Sequence, residues 1–183
     1  MMLSRTAHDS TEVIRMSSID QLDTALLTAL DADPRTGVRE LAQRLGVARN
    51  TVQARLRRLE ESGVLEGFTV RVNLSTIGLP VHAFVRMELA QGALSSVIEA
   101  LRARPAVLEV HATTGQSDLS VRVAARNHPD LQEMLQDILA IPGVLRTSTE
   151  MALTTPVPYR TGPLLRSLTA GTGSGRAHPP QPS

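Results

Sequence analysis

The spacing of apolar residues changes once along this chain, from a helical period to a strand period, and that change limits the fold more than any other feature. From about Ser18 to Gly63 the apolar positions recur every three or four residues. Ile19, Leu22, Leu26 and Leu30 line one face of a first helix, for which Ser18 and Gln21 make a capping box and which Pro34 ends. Val38, Leu41, Ala42 and Leu45 line a second, short helix stopped by Gly46. A third helix begins near Ala48, carries Val52, Leu56 and Leu59 inward and ends at Ser62-Gly63.

Beyond Pro80 the period is two. Val81, Ala83, Val85, Met87 and Leu89 alternate with His82, Phe84, Arg86 and Glu88, the mark of a half-buried strand. A helix over Leu94–Arg104 follows, closed by Pro105, and then two strands, Val107–Thr114 and Asp118–Ala125, joined through Gly115-Gln116-Ser117. A helix over Asp130–Ala140 stops at Pro142-Gly143, and Val144–Thr154 is a last strand. The order β-α-β-β-α-β is the ferredoxin-like one. The chain is therefore expected to be α+β: a three-helix domain over 18–63, a hinge strand and linker over 64–79 and a ferredoxin-like domain over 80–160. Within the linker, Leu65–Val72 reads as a strand and Leu74–Gly78 as a turn. Residues 1–17 read as a flexible arm. Residues 161–183, which collect Gly171, Gly173, Gly175, Pro179, Pro180 and Pro182, read as a disordered tail.

Composition narrows the function by exclusion. The chain has no Cys, so disulfides, thiolate metal sites and cysteine nucleophiles are out, and the setting reads as cytoplasmic. No apolar run reaches the roughly 18 to 20 residues of a membrane span, and no secretion signal is recognisable at the amino terminus. Charges balance at 19 basic against 18 acidic residues, so only their distribution can argue for a nucleic-acid partner. All the basic residues are arginine, which codon bias in a GC-rich genome explains.

That distribution is uneven. The second and third helices with the Gly46-Val47-Ala48 turn match a helix-turn-helix, whose second helix enters the major groove. Between Arg49 and Arg58 the third helix has four arginines and no acid. Its leading residues are the ones that reach base edges. Arg49 suits guanine, Asn50 and Gln53 suit adenine, and Thr51, Arg55, Arg57 and Arg58 suit phosphates. The alternative is a solvated face on which Arg57 and Arg58 pair with Glu60 and Glu61.

The pattern Ile19-Asp20-x-x-Asp23-x-x-Leu26-Leu27-x-x-Leu30, Glu40-Leu41-Ala42-x-x-Leu45-Gly46-Val47 and Val52-x-x-Arg55-Leu56-x-Arg58-Leu59-Glu60-x-x-Gly63 closely resembles the Lrp/AsnC (feast/famine) transcription regulators. Thr114-Gly115-x-x-Asp118-Leu119 resembles that family's effector loop, and Leu139-x-x-Ile141-Pro142-Gly143-Val144-x-Arg146-Thr147 the approach to its last strand. The likeness spans about residues 18–160. It implies a winged-type helix-turn-helix joined to an effector and oligomerisation domain, homodimers that assemble into higher even-numbered oligomers, and double-stranded DNA as partner. It also implies a small effector of amino-acid type bound between dimers by Gly115, Gln116, Ser117 and Asp118. The loop backbone would receive a carboxylate and Asp118 an ammonium, while the plainer role for Asp118 is an Asx-type turn bond. Two departures stand out. Gln116 and Ser117 replace an acid and an aromatic residue in the family's loop, and Ala48 replaces a capping serine ahead of the third helix.

Nothing in the residue pattern points to an enzyme. His8, His82, His111, His128 and His178 are scattered without metal-ligand spacing; His111, nearest the loop, reads as a partly buried structural residue. Gly115-Gln116-Ser117-Asp118 lacks the closing glycine of a nucleophile elbow. No cofactor and no metal are expected. The rival function is a tetrapyrrole (siroheme-type) decarboxylase of the same two-domain plan, which the basic third helix argues against. A third reading is a ligand-binding or assembly module with no DNA role.

Overall fold

The structure, a computed structural model, describes residues 19–171, so the expected arm over 1–17 and the final part of the expected tail lie outside the described residues. Two compact units form. One holds residues 19–69 together with 159–171, and the other is Val70–Pro158.

In the first unit, α1 (Gln21–Ala32), α2 (Val38–Leu45) and α3 (Arg49–Glu61) enclose a core of Leu26, Leu30, Leu41, Ala42 and Val52. The cap of α1 is not the expected Ser18–Gln21 pair. Asp20 accepts the Asp23 backbone N–H at 2.9 Å, and the Asp23 carboxylate accepts that of Asp20 at 3.0 Å, so the box lies two residues later. Gly46 ends α2 in the left-handed region, at φ 66° and ψ 32°, where a side chain costs energy; that geometry reverses the chain into α3 within three residues. Only Val52 and Leu59 of α3 are buried. At about 1.5–3 kcal/mol each, they leave a helix with four arginines in need of further anchoring.

Residues 162–169, expected as part of the tail, form α6 (Gly162–Thr169) instead. Pro163 sits in its first turn, and Gly162 and Thr169 are buried. The Thr169 hydroxyl donates to the Leu165 carbonyl at 3.0 Å and lies 3.2 Å from the Thr24 hydroxyl of α1. Gly and Pro concentrate from Gly171 onward, whereas 162–169 contains three leucines and packs by its small face, Gly162 against Thr28.

The second unit is an antiparallel sheet of order β2-β3-β1-β4, built from β1 (Val81–Leu89), β2 (Val107–Ala112), β3 (Leu119–Ala125) and β4 (Val144–Met151). Its register sets Val85 opposite Val121 and Met87 opposite Leu119, so the alternate residues of β1 and β3 share one face. That face packs on Val97 and Leu101 of α4 (Leu94–Arg102) and on Leu131 and Ile138 of α5 (His128–Leu139). The opposite face carries Phe84, Arg86, Arg122 and Glu150. Asn127 caps α5 by accepting the Asp130 N–H at 2.8 Å.

The hinge strand expected over Leu65–Val72 does not form. The segment pairs with no strand among the described residues, and Phe68, Val70 and Val72 stay exposed. Alternating apolar residues make a strand only where a neighbouring edge accepts their backbone bonds. The turn at 74–78 is present, with the Leu79 N–H donating to the Leu74 carbonyl at 2.9 Å and Gly78 at φ 90°.

Candidate nucleic-acid interface and effector loop

The second helix of the turn motif presents one polar stripe. Gln53 and Ala54 each lie three or four residues from both Asn50 and Arg57, and all four are exposed, with Arg49 beside them at the helix start. Thr51 is half-buried. Ala48 occupies the cap position in an extended conformation without a side-chain bond, so the leading N–H groups of α3 have no side-chain acceptor there. Arg57 has no ion-pair partner among the described residues, and neither Arg57 nor Arg58 pairs with Glu60 or Glu61.

Arg55 and Arg58, expected on phosphates, are ion-paired to acids at the start of α1. Arg55 bridges two acids of α1, bonding to Asp20 and, at 3.1 Å, to Asp23. Arg58 bonds to the second oxygen of Asp23. The Asp23 side chain is fully buried, that of Asp20 is 25% exposed, and those of Arg55 and Arg58 are 24% and 49% exposed. Burial pulls the Asp20 carboxyl upward, but the Asp23 N–H and the Arg55 guanidinium outweigh it and hold its pKa below the ordinary 3.8. Asp20 in turn raises the Arg55 pKa. In the sequence Asp20 and Asp23 stand out only as part of the family pattern. The signal was there in matched spacing: Asp20-x-x-Asp23 on one helix and Arg55-x-x-Arg58 on another, each pair on a single face.

In the second unit Gly115, at φ 113°, tips the β2–β3 hairpin. Gly115, Gln116 and Asp118 are exposed and Ser117 is half-buried. The Asp118 carboxylate makes no Asx turn; it accepts the Leu89 N–H at 2.7 Å, while its own N–H donates to the Met87 carbonyl at 2.8 Å. The Thr113 hydroxyl donates to the Ser117 carbonyl at 2.7 Å. These bonds tie the loop to the end of β1. A cavity of about 350 Å³ in this unit, lined by Leu79, Arg104, Arg126, Asp130 and Met134 among others, does not include the loop. His111 is exposed, not partly buried, with Nε2 3.0 Å from a Glu109 oxygen. Among the described residues no cluster of metal-ligating side chains occurs.

Residues 19–66 match the winged helix-turn-helix DNA-binding family, and residues 82–161 match the Lrp/AsnC ligand binding domain. The regulator FL11 of Pyrococcus horikoshii is 33% identical over 137 residues, which cover 75% of this chain and 91% of the relative. The chain belongs to the Lrp/AsnC family. The regulator AldR of Mycolicibacterium smegmatis is likewise 33% identical, over 75% of this chain and 83% of its own length. Escherichia coli AsnC superposes with a TM-score of 0.74 at 28% identity, over 80% of this chain and 99% of AsnC. A Neisseria meningitidis regulator solved in complex with L-Met shares the fold, with a TM-score of 0.73 at 22% identity. As an Lrp/AsnC protein the chain is a DNA-binding transcriptional regulator with a small-molecule ligand domain, and not an enzyme. Nothing in these likenesses supports the decarboxylase alternative.

Proposed function

We propose that this regulator reads DNA sequence-specifically through the leading end of α3, with Arg49, Asn50 and Gln53 at base edges and Thr51 and Arg57 on flanking phosphates. The exposed stripe from Asn50 to Arg57 carries this reading: its side chains have no partner among the described residues to give up, and Ala54 between them lets the helix approach the groove closely. Arg55 and Arg58 serve instead to hold the helix. The protein acts in the cytoplasm as a homodimer that assembles into a higher even-numbered oligomer, so that paired α3 helices meet half-sites about one DNA turn apart.

The effector is an amino acid or a close relative, bound by Gly115, Gln116, Ser117 and Asp118 where two copies meet. The loop is open on a single chain, which fits a site completed by a neighbour, and its exposed backbone and carboxylate match a zwitterion. The L-Met complex of the Neisseria protein sets a precedent for the fold only.

Selection of genomic fragments by the purified protein at two salt concentrations, with and without amino-acid pools, tests the reading. A few phased, partly palindromic sites should be recovered, and Arg57→Ala should weaken binding to all of them and reduce the salt slope by about 1. Recovery of fragments without any common sequence would overturn it.

A further inference from the structure

We propose that Asp20 and Asp23 are positioning residues that set DNA specificity, because they withhold Arg55 and Arg58 from phosphates while seating α3 on α1. The proposal rests on α3 being the reading helix. Of the four arginines on α3, two are matched one for one by buried or half-buried carboxylates, which leaves Arg49 and Arg57 as its cations without an ion-pair partner among the described residues. Asp23 is the pivot. It is fully buried and takes three donors: the Asp20 N–H at 3.0 Å, Arg55 at 3.1 Å and Arg58. Because Arg55 and Arg58 stand three residues apart on α3, the two acids grip that helix over almost a full turn and fix its rotation relative to α1.

The consequence has a distinctive sign. Removing an acid from a DNA-binding unit ordinarily strengthens binding to every duplex alike. Here the released arginines gain phosphate contacts that carry no sequence information, while α3 loses the seating that aims Asn50 and Gln53. Sequence-blind binding rises and discrimination falls.

The experiment compares full-length wild type with Asp20→Asn, Asp23→Asn and the double variant, on a duplex recovered by genomic selection and on its scrambled counterpart, from 50 to 200 mM salt. On scrambled duplex the salt slope should steepen by about 1 in Asp23→Asn and by about 2 in the double variant. For the double variant this adds about tenfold to the affinity gained on going from 200 to 50 mM salt. The ratio of selected to scrambled affinity should fall in each. Arg58→Gln introduced into Asp23→Asn should return the slope to the wild-type value, a reversal that a merely weakened fold does not produce. An unchanged slope, or a steeper slope with an unchanged ratio, would overturn the proposal. If circular dichroism finds Asp23→Asn unfolded, the half-buried Asp20 carries the test, with Arg55→Gln as its reversal. Failure of wild type to prefer the selected duplex is a separate result, and it counts against α3 as the reading helix.

Discussion

Replacing Gly143 by alanine probes how the effector unit is packed. Gly143 lies just before β4 at φ 95°, and a Cβ there would stand 2.4 Å from the Ala93 Cβ and 3.7 Å from a Val97 methyl. Carbon atoms pack at about 3.5–4.0 Å, so the overlap exceeds an ångström. Sideways relief is limited, since the Gly143 carbonyl accepts the Ala90 N–H at 2.8 Å and Val97 is fully buried. The strained backbone angle costs about 1–3 kcal/mol and the overlap about 1–3 kcal/mol, for an expected loss near 3 kcal/mol. Ala93→Gly removes the atom that is struck, at a capping position where glycine is well tolerated. The double variant should therefore recover the steric part and keep the conformational part, a coupling of about 1–2 kcal/mol. Urea unfolding followed by circular dichroism reads all four proteins. A Gly143→Ala variant within about 0.5 kcal/mol of wild type, or a double variant no more stable than that single one, would refute the reasoning.

Three further outcomes are expected. Asp118→Ala removes the acceptor of the Leu89 N–H and should cost about 1 kcal/mol while speeding hydrogen exchange at Leu89; unchanged exchange there would mean the carboxylate does not hold the hairpin. Ala48→Ser supplies the missing cap of α3 and should stabilise the first unit by about 0.5–1 kcal/mol in a thermal melt, and a neutral effect would show that those N–H groups are already satisfied. The Asp20 pKa is lower folded than unfolded, so its contribution is complete above 3.8 and is lost as pH falls through the folded value. Wild type should accordingly lose more stability than Asp20→Asn on acidification from about pH 5 to about pH 3, and equal losses would remove Asp20 from the acid response.

The candidate site was legible where its signals were local. Alternation in β1 announced which face of the sheet is buried, and Ala83, Val85 and Met87 are indeed solvent-free. Gly46 marked the turn between α2 and α3, and the basic, acid-free run from Arg49 to Arg58 could be read directly. The roles of Arg55 and Arg58 could not, since an arginine that will face a phosphate and one that will face a carboxylate are the same residue at the same helical step. Likewise Leu65–Val72 has the alternation of a strand but pairs with no strand among the described residues.

By itself, then, the sequence determined the periods, the stops between elements and the membership of each core, because these depend on neighbours within a turn or two. Tertiary structure decided the pairings. The Asp23–Arg55 and Asp23–Arg58 bonds span 32 and 35 positions, Asp118 reaches back 29 positions to Leu89, and Thr169 reaches Thr24 across 145. A polar side chain states what it can bond to but not which partner the fold will bring within hydrogen-bond reach, and burial of the resulting pair is what makes the choice matter.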